Sequence, residues 1–132
     1  MANLRAAVIG RTGRGDYGHA LDEVWLELPG VELVAVADDN KVGLAKSASK
    51  LKVDKAYADY RQMLDEIKPD LVAIAPRWLD QHRDMVVAAA ERGIHMYLEK
   101  PLARSLAVLR VRSWIQVVQA MAFVLPLLIV DE

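Results

Sequence analysis

An apolar run followed at once by a dense group of glycines constrains this sequence more than any other feature. Residues 4–9 are mostly apolar, and four glycines (Gly10, Gly13, Gly15 and Gly18) fall within the next nine positions. The amphipathic segment at residues 17–28 then predicts a helix. A strand, a glycine turn and a helix in this order leave backbone N–H groups free at the turn, where they can bind a phosphate.

Apolar runs and helix-like segments continue to alternate along the chain. Further strands are predicted at residues 31–37, 55–57, 71–75 and 95–98, and helices at about 41–51, 60–67 and 80–92. Asn40 and Asp59 are expected to cap two of these helices. Short connections between alternating strands and helices predict an α/β fold, a doubly wound parallel sheet with strand order 3-2-1-4-5-6.

The end of the chain differs from the rest, because residues 113–130 carry no charge. This run of 18 uncharged residues approaches the length that spans a bilayer. Gln116, Gln119 and Pro126 disfavour a membrane helix. We therefore expect a helix over about 105–121 and a sixth strand over about 123–130, so that residues 1–132 form a single domain.

Composition excludes several classes of function. The 132 residues are 54% hydrophobic and 27% charged, as in a globular domain. The net charge of −1 gives no reason to expect nucleic acid or a membrane surface as a partner. The chain has no cysteine and its histidines lack ligand spacing, so we expect no metal site. No signal peptide is recognisable, and we expect a cytoplasmic protein.

The glycine-rich turn fits a dinucleotide-binding fingerprint in two registers. One is Gly13-x-Gly15-x-x-Gly18, and the other is Gly10-x-Thr12-x-x-Gly15. The second is favoured because its first glycine follows the predicted strand directly. In that register Gly15 marks the start of the helix and packs on the strand. A flexible turn without a ligand is the alternative.

Charged residues follow the first two predicted strands. Arg11 and Arg14 are placed to add charge-assisted contacts to a pyrophosphate. Asp38 ends the second strand, where a carboxylate can accept hydrogen bonds from the adenosine ribose. The charge of Asp38 and Asp39 favours NAD over NADP, an argument that Lys41 weakens. The alternative role for Asp38 is that of a helix cap.

Glu99, Lys100 and Pro101 follow the last strand of the alternating pattern, at the edge where open α/β sheets bind ligands. A lysine there can neutralise or protonate a substrate oxygen, although from the tripeptide alone a surface turn is the favoured interpretation. His82 starts a helix near the same edge, which allows a cofactor contact. For His19, His82 and His95 a structural role is favoured.

Four motifs together resemble the N-terminal domain of the glucose–fructose oxidoreductase / inositol dehydrogenase (Gfo/Idh/MocA) family. They are A-V-I-G-R-T-G-R-G-D-Y-G-H, V-A-V-A-D-D, A-P-R-W-L-D-Q-H and G-I-H-M-Y-L-E-K-P-L-A. Residues 1–103 follow the family pattern, and residues 104–132 form a divergent apolar tail. The resemblance implies an NAD(P)-binding domain of an oxidoreductase that acts on the CH–OH group of a sugar, polyol or related compound.

The resemblance also assigns roles to single residues. The pyrophosphate would lie on residues 10–15, which are Gly10, Arg11, Thr12, Gly13, Arg14 and Gly15. Asp38 and its neighbour Asp39 would face the ribose, and residues 75–76 (Ala75 and Pro76) would lie beside the cofactor. Glu99 and Lys100 would lie near the nicotinamide, with Lys100 as the catalytic residue.

Family members continue into a second α/β domain that supplies most substrate contacts, and this sequence contains none. We therefore expect a chain that binds NAD, with NADP as a second option, but is incomplete as a catalyst unless another domain or chain completes the site. The divergent tail fits either a sixth strand unit or a truncated or frame-shifted reading frame. The alternative function is a non-catalytic Rossmann module in oligomer assembly, with the apolar tail as the contact in a homo-oligomer.

Overall fold

Five strands form one parallel sheet in the computed structural model, which describes residues 3–100. They are β1 (Leu4–Ile9), β2 (Val31–Ala37), β3 (Lys55–Tyr57), β4 (Leu71–Ile74) and β5 (His95–Leu98). Their spatial order is β3-β2-β1-β4-β5, and all neighbouring strands run parallel. The predicted order is confirmed for these five strands, while the predicted sixth strand and the helix before it lie outside the described residues.

Three α-helices connect the strands. They are α1 (Lys41–Leu51), α2 (Tyr60–Ile67) and α3 (His82–Glu91). Both predicted N-caps are confirmed: the Asn40 side chain accepts a hydrogen bond from the amide of Gly43, and the Asp59 side chain accepts one from the amide of Arg61. The helix predicted from residue 80 begins instead with a 3₁₀ turn at Leu79–Gln81, which leads directly into α3.

The two faces of the sheet carry separate apolar cores, because alternate strand residues point to opposite sides. Ala7 and Ile9 of β1 pack with the buried side chains of α2 and α3. Ala6 and Val8 pack on the other side, against Leu21 and Trp25, which precede β2. Buried apolar strands with helices on both faces are typical of a doubly wound α/β domain.

The helix predicted at residues 17–28 is wrong. This segment consists of turns and one 3₁₀ turn at Val24–Leu26. Gly18 and Ala20 have φ angles of +62° and +58°, in a left-handed region that a right-handed helix cannot include. The amphipathic pattern still located the residues that cover the sheet, because Leu21 and Trp25 are buried.

Among residues 3–100, no helix has the length and apolar character needed to cross a membrane. The uncharged run at residues 113–130, for which a membrane helix was the disfavoured alternative, lies outside the described part of the chain.

Replacement of Asp59 by alanine tests the cap of α2. The variant loses the side-chain acceptor for the Arg61 amide, and we expect the free energy of unfolding to fall by about 1 kcal/mol. Urea denaturation followed by circular dichroism measures the loss, and Asp59→Ser should recover most of it. Asp54→Ala is the matched control, since Asp54 is exposed and its side chain forms no hydrogen bond with residues 3–100. An equal loss in the control would contradict the capping role.

Candidate functional site

Four chain segments meet at the carboxyl edge of the sheet. They are residues 10–18 after β1, 38–40 after β2, 75–81 after β4 and 99–100 after β5. β1 lies between β2 and β4, so the connections to its two sides run in opposite directions. Open α/β sheets bind ligands at such a point. The structure therefore brings the segments that carry the predicted site residues together.

The glycine-rich loop, which is residues 10–18, folds back on itself. Gly10 follows β1 directly, and the backbones of Arg11 and Asp16 exchange two hydrogen bonds, of 3.1 and 2.9 Å. The amide of Gly13 donates to the Asp16 side chain at 2.8 Å. The favoured register predicted that Gly15 starts a helix, and this prediction is wrong. With a φ of +91°, Gly15 forms part of a turn that packs against the backbone of the loop after β4.

The loop glycines allow the chain to approach itself closely. An added Cβ at Gly10 would overlap the ring of Tyr17, and one at Gly18 would overlap the carboxylate of Glu99. An added Cβ at Gly13 would meet no atom of the described residues within 4 Å. Gly13 is thus the loop glycine that leaves open space for a ligand, whereas Gly10 and Gly18 accommodate the protein's own side chains.

Asp38 lies at the end of β2 and ties the glycine-rich loop to it. The residue is 2% exposed. Its carboxylate accepts hydrogen bonds from Thr12 N (3.1 Å), Thr12 Oγ1 (2.6 Å), Tyr17 Oη (2.9 Å) and Asn40 N (2.9 Å). Burial, with a further contribution from the Asp38 charge, raises the pKa of Tyr17, so its hydroxyl remains a donor. The carboxylate assigned to the ribose is therefore engaged by the chain itself.

Arg11 joins three of the four segments. Its guanidinium contacts Asp80 at 3.0 Å and Asp39 at 3.2 Å, while the whole residue is 5% exposed. Two carboxylates thus balance a charge that was predicted to face the pyrophosphate. Arg14, the second predicted phosphate contact, is exposed, and its guanidinium lies 6.0 Å from the centre of the Trp78 ring.

Glu99 links His19, directly after the glycine-rich loop, to the backbone of Lys100. It is 3% exposed and accepts hydrogen bonds from His19 N (2.7 Å), His19 Nδ1 (2.8 Å) and Lys100 N (3.2 Å). Burial raises the pKa of Glu99, but the hydrogen bonds from His19 and Lys100 lower it by more, so the net pKa lies below its ordinary value. The partnership of His19 with Glu99 was missed from the sequence.

Ala75, Pro76 and His82 lie beneath the loop after β4. All three are buried, and His82 Nε2 donates a hydrogen bond to the carbonyl oxygen of Pro76. The amide of Ala75 donates to Ile9 O at 3.0 Å. In this conformation these residues hold the loop in place. The resemblance had placed Ala75 and Pro76 beside the cofactor, and for His82 a cofactor contact was allowed while a structural role was favoured.

Several exposed or unpartnered polar groups at this edge fit a dinucleotide. The side chain of Asp39 is 52% exposed. Asp39 and Gly10 line a small cavity of about 20 Å³ together with Tyr60, whose buried hydroxyl has no partner among residues 3–100. Within the same range, the amides of Gly15 and Tyr17 donate no hydrogen bond. Free amides suit a diphosphate, and a carboxylate suits ribose hydroxyls.

Two other observations narrow the choice of site. A larger cavity, of about 490 Å³, lies between α2, α3 and the start of β5, and none of the predicted site residues lines it. Among residues 3–100, no group of histidine, aspartate and glutamate side chains has the arrangement of a metal site.

Comparison with known proteins identifies the family. Residues 4–122 match the model of the Gfo/Idh/MocA family, described as an oxidoreductase family with an NAD-binding Rossmann fold. The chain belongs to this family. The family resemblance and the cofactor class inferred from the motifs are thereby confirmed.

Individual relatives agree with this assignment. The scyllo-inositol 2-dehydrogenase (NAD(+)) of Bacillus subtilis is 37% identical over 103 residues, which are 78% of this chain and 29% of that protein. The glycosyl hydrolase family 109 protein 1 of Bacteroides thetaiotaomicron is 33% identical over 115 residues, covering 78% of this chain and 24% of that protein. The chain spans about a quarter to a third of the length of such relatives.

Solved structures show the same fold. The crystal structure of myo-inositol 2-dehydrogenase from Lactobacillus plantarum matches with a TM-score of 0.72 and 29% identity. The match covers 89% of this chain and 33% of that one. The chain is thus the NAD-binding domain of a Gfo/Idh/MocA protein and corresponds to part of its longer relatives.

Thr12→Val tests the hydrogen bonds to Asp38. The variant keeps the shape of the side chain but removes the hydroxyl donor from a buried carboxylate. We expect the free energy of unfolding to fall by about 1–3 kcal/mol, measured by urea denaturation. Thr12→Ser keeps the donor and should lose less than half as much. Equal stabilities of the valine and serine variants would show that the hydroxyl contributes little.

The lowered pKa of Glu99 predicts a contribution to acid sensitivity. Ionised Glu99 stabilises the folded chain above its ordinary pKa of 4.5, and this stabilisation is lost as the pH falls through the lower folded-state pKa. We expect Glu99→Gln to reduce the difference in unfolding free energy between about pH 6 and about pH 3. Glu27→Gln, at an exposed glutamate, is the control. If both variants keep the wild-type pH dependence, Glu99 makes no such contribution.

Proposed function

We propose that this chain binds NAD along the carboxyl edge of its sheet and forms the cofactor half of an oxidoreductase acting on the CH–OH group of a sugar, polyol or related compound. One observation carries the proposal: the glycine-rich loop, Asp38 and Asp39, and Glu99 and Lys100 lie at one edge of the sheet, around β1. When bound, the nicotinamide supplies the hydride chemistry, and the protein supplies orientation and electrostatics.

The dinucleotide would lie across β1, with one nucleoside on each side. The carboxylates of Asp38 and Asp39 are at the end of β2, which favours the adenosine half on that side. The free amides of Gly15 and Tyr17 are near the middle of the edge and suit the diphosphate. The nicotinamide would then reach toward β5, after which Lys100 lies.

For a ribose to bind Asp38, a ribose hydroxyl must replace one of the protein donors that now bind the carboxylate. The Thr12 hydroxyl is the donor most easily replaced, because a ribose hydroxyl is chemically equivalent and a rotation about χ1 moves the threonine side chain away. Asp39 is already half exposed and needs no such change. Since Arg11 is committed to Asp39 and Asp80, it is not free to bind a 2′-phosphate. These features support a preference for NAD over NADP.

Lys100 is the proposed catalytic residue. It is exposed, and its backbone is held next to Glu99. A lysine amine beside the nicotinamide can donate a proton to the substrate oxygen or stabilise its negative charge. The relatives include both inositol dehydrogenases and glycosyl hydrolases. Turnover by this chain would therefore depend on a further domain or chain that selects the substrate.

A second candidate function is a non-catalytic Rossmann module that acts in the assembly of a homo-oligomer. The engagement of Asp38 by four donors and the ring of Tyr17 over Gly10 favour it, because both make the loop complete without a ligand. In either case the proposed location is the cytoplasm, which the lack of cysteine allows.

Titration of the 132-residue chain with NADH, followed by nicotinamide fluorescence, separates the two candidates. We expect saturable binding that NAD⁺ and ADP-ribose displace. Asp39→Asn should narrow the preference for NADH over NADPH by about tenfold, because one charge opposing the 2′-phosphate is lost. Asp54→Asn is the control and should keep the wild-type preference. No saturable binding at millimolar NADH would overturn the cofactor role and support the assembly module.

A further inference from the structure

One buried carboxylate links the end of the glycine-rich loop to the backbone of Lys100. Glu99 accepts hydrogen bonds from both the amide and the ring of His19, and a third from the amide of Lys100. His19 and Glu99 are 80 positions apart in the sequence. The contact therefore joins the connection after β1 to the connection after β5, across β4.

The hydrogen bond between the ring of His19 and the carboxylate of Glu99 has a defined direction. The pKa of Glu99 is lowered because the hydrogen bonds to it outweigh its burial, so the group is a carboxylate at neutral pH. A carboxylate only accepts hydrogen bonds, so Nδ1 of His19 must carry the proton that it donates. Because the amide and ring of His19 bind different oxygens of Glu99, both its backbone and its side chain are fixed in orientation.

The backbone around His19 is shaped for this contact. Gly18 has a φ of +62°, and a side chain there would overlap the Glu99 carboxylate. Ala20 has a φ of +58°, a conformation that is strained for a residue with a Cβ. Left-handed residues thus flank His19 on both sides. Such strain persists where the surrounding contacts determine the conformation, and here those contacts are the hydrogen bonds to Glu99.

We propose that His19 is a positioning residue for the nicotinamide end of the site. By holding Glu99, it fixes the backbone at Lys100 relative to the glycine-rich loop, and so sets where the lysine meets the cofactor. The inference rests on the proposed NAD-binding function. The groups assigned to the adenosine end, Asp38 and Asp39, make no hydrogen bond with His19. Loss of His19 should therefore weaken binding of the nicotinamide half of the dinucleotide and leave binding of the adenosine half unchanged.

The test compares two ligands on the full 132-residue chain. NADH contains the nicotinamide, whereas ADP-ribose contains the adenosine and diphosphate without it. We expect His19→Ala to weaken NADH binding by about tenfold, the usual effect of losing a hydrogen bond to a charged group, and to leave the affinity for ADP-ribose within about twofold. Calorimetric titration measures both affinities, and circular dichroism checks the fold.

Conservative variants make the test specific. His19→Asn places an amide N–H close to the position of Nδ1 and should recover most of the NADH affinity, while His19→Gln moves the donor by one bond and should not. If the alanine variant does not fold, this asparagine–glutamine pair carries the comparison. His95→Ala is the matched control, because His95 is exposed at the start of β5, on the opposite edge of the sheet, and should leave both affinities unchanged.

The outcomes distinguish this inference from the proposed function. Unchanged NADH affinity in His19→Ala, equal losses for both ligands, or no difference between the asparagine and glutamine variants would overturn the positioning role while cofactor binding stands. A wild-type chain that binds neither ligand would overturn the proposed function, and the positioning role with it.

Discussion

The burial of Asp38 is the constraint on which the candidate site depends. A carboxylate removed from water costs several kcal/mol unless donors replace the lost solvent. Here the backbone and side chain of Thr12, the hydroxyl of Tyr17 and the amide of Asn40 replace it. The first two residues belong to the glycine-rich loop, so the loop must lie against the end of β2. Gly10 is required because the ring of Tyr17 has to pass directly over it to reach Asp38.

This arrangement changes how an anion can be held. In a standard dinucleotide-binding unit, the helix after the glycines directs its N-terminal dipole and amides at the diphosphate. Between the glycines and β2 the structure has no α-helix, only the 3₁₀ turn at Val24–Leu26, because left-handed residues interrupt the chain up to Ala20. Individual amides and the exposed guanidinium of Arg14 remain for this role. Arg11 contributes less than its position suggests, since Asp39 and Asp80 already balance its charge.

The sequence predicted features that depend on local pattern. The strands, their order, and the caps at Asn40 and Asp59 follow from apolar runs and from side chains that bind nearby amides. The helix at residues 17–28 failed because hydrophobic spacing reports which residues are buried, not the sign of φ. The pairing of His19 with Glu99 and the engagement of Asp38 were missed because their partners come from distant segments, and only the folded sheet edge brings them together.

Two buried carboxylates hold the glycine-rich loop. Asp38 binds Thr12 and Tyr17 of the loop at the end of β2, and Glu99 binds His19, directly after the loop, at the end of β5. Between these anchors the loop crosses β1, where the direction of the connections reverses. Hydrogen bonds to side chains that follow the flanking strands therefore hold the loop in place, although no α-helix directly follows it. Since the two anchors lie on opposite sides of β1, a ligand that spans the edge must fit a loop that is held from both sides.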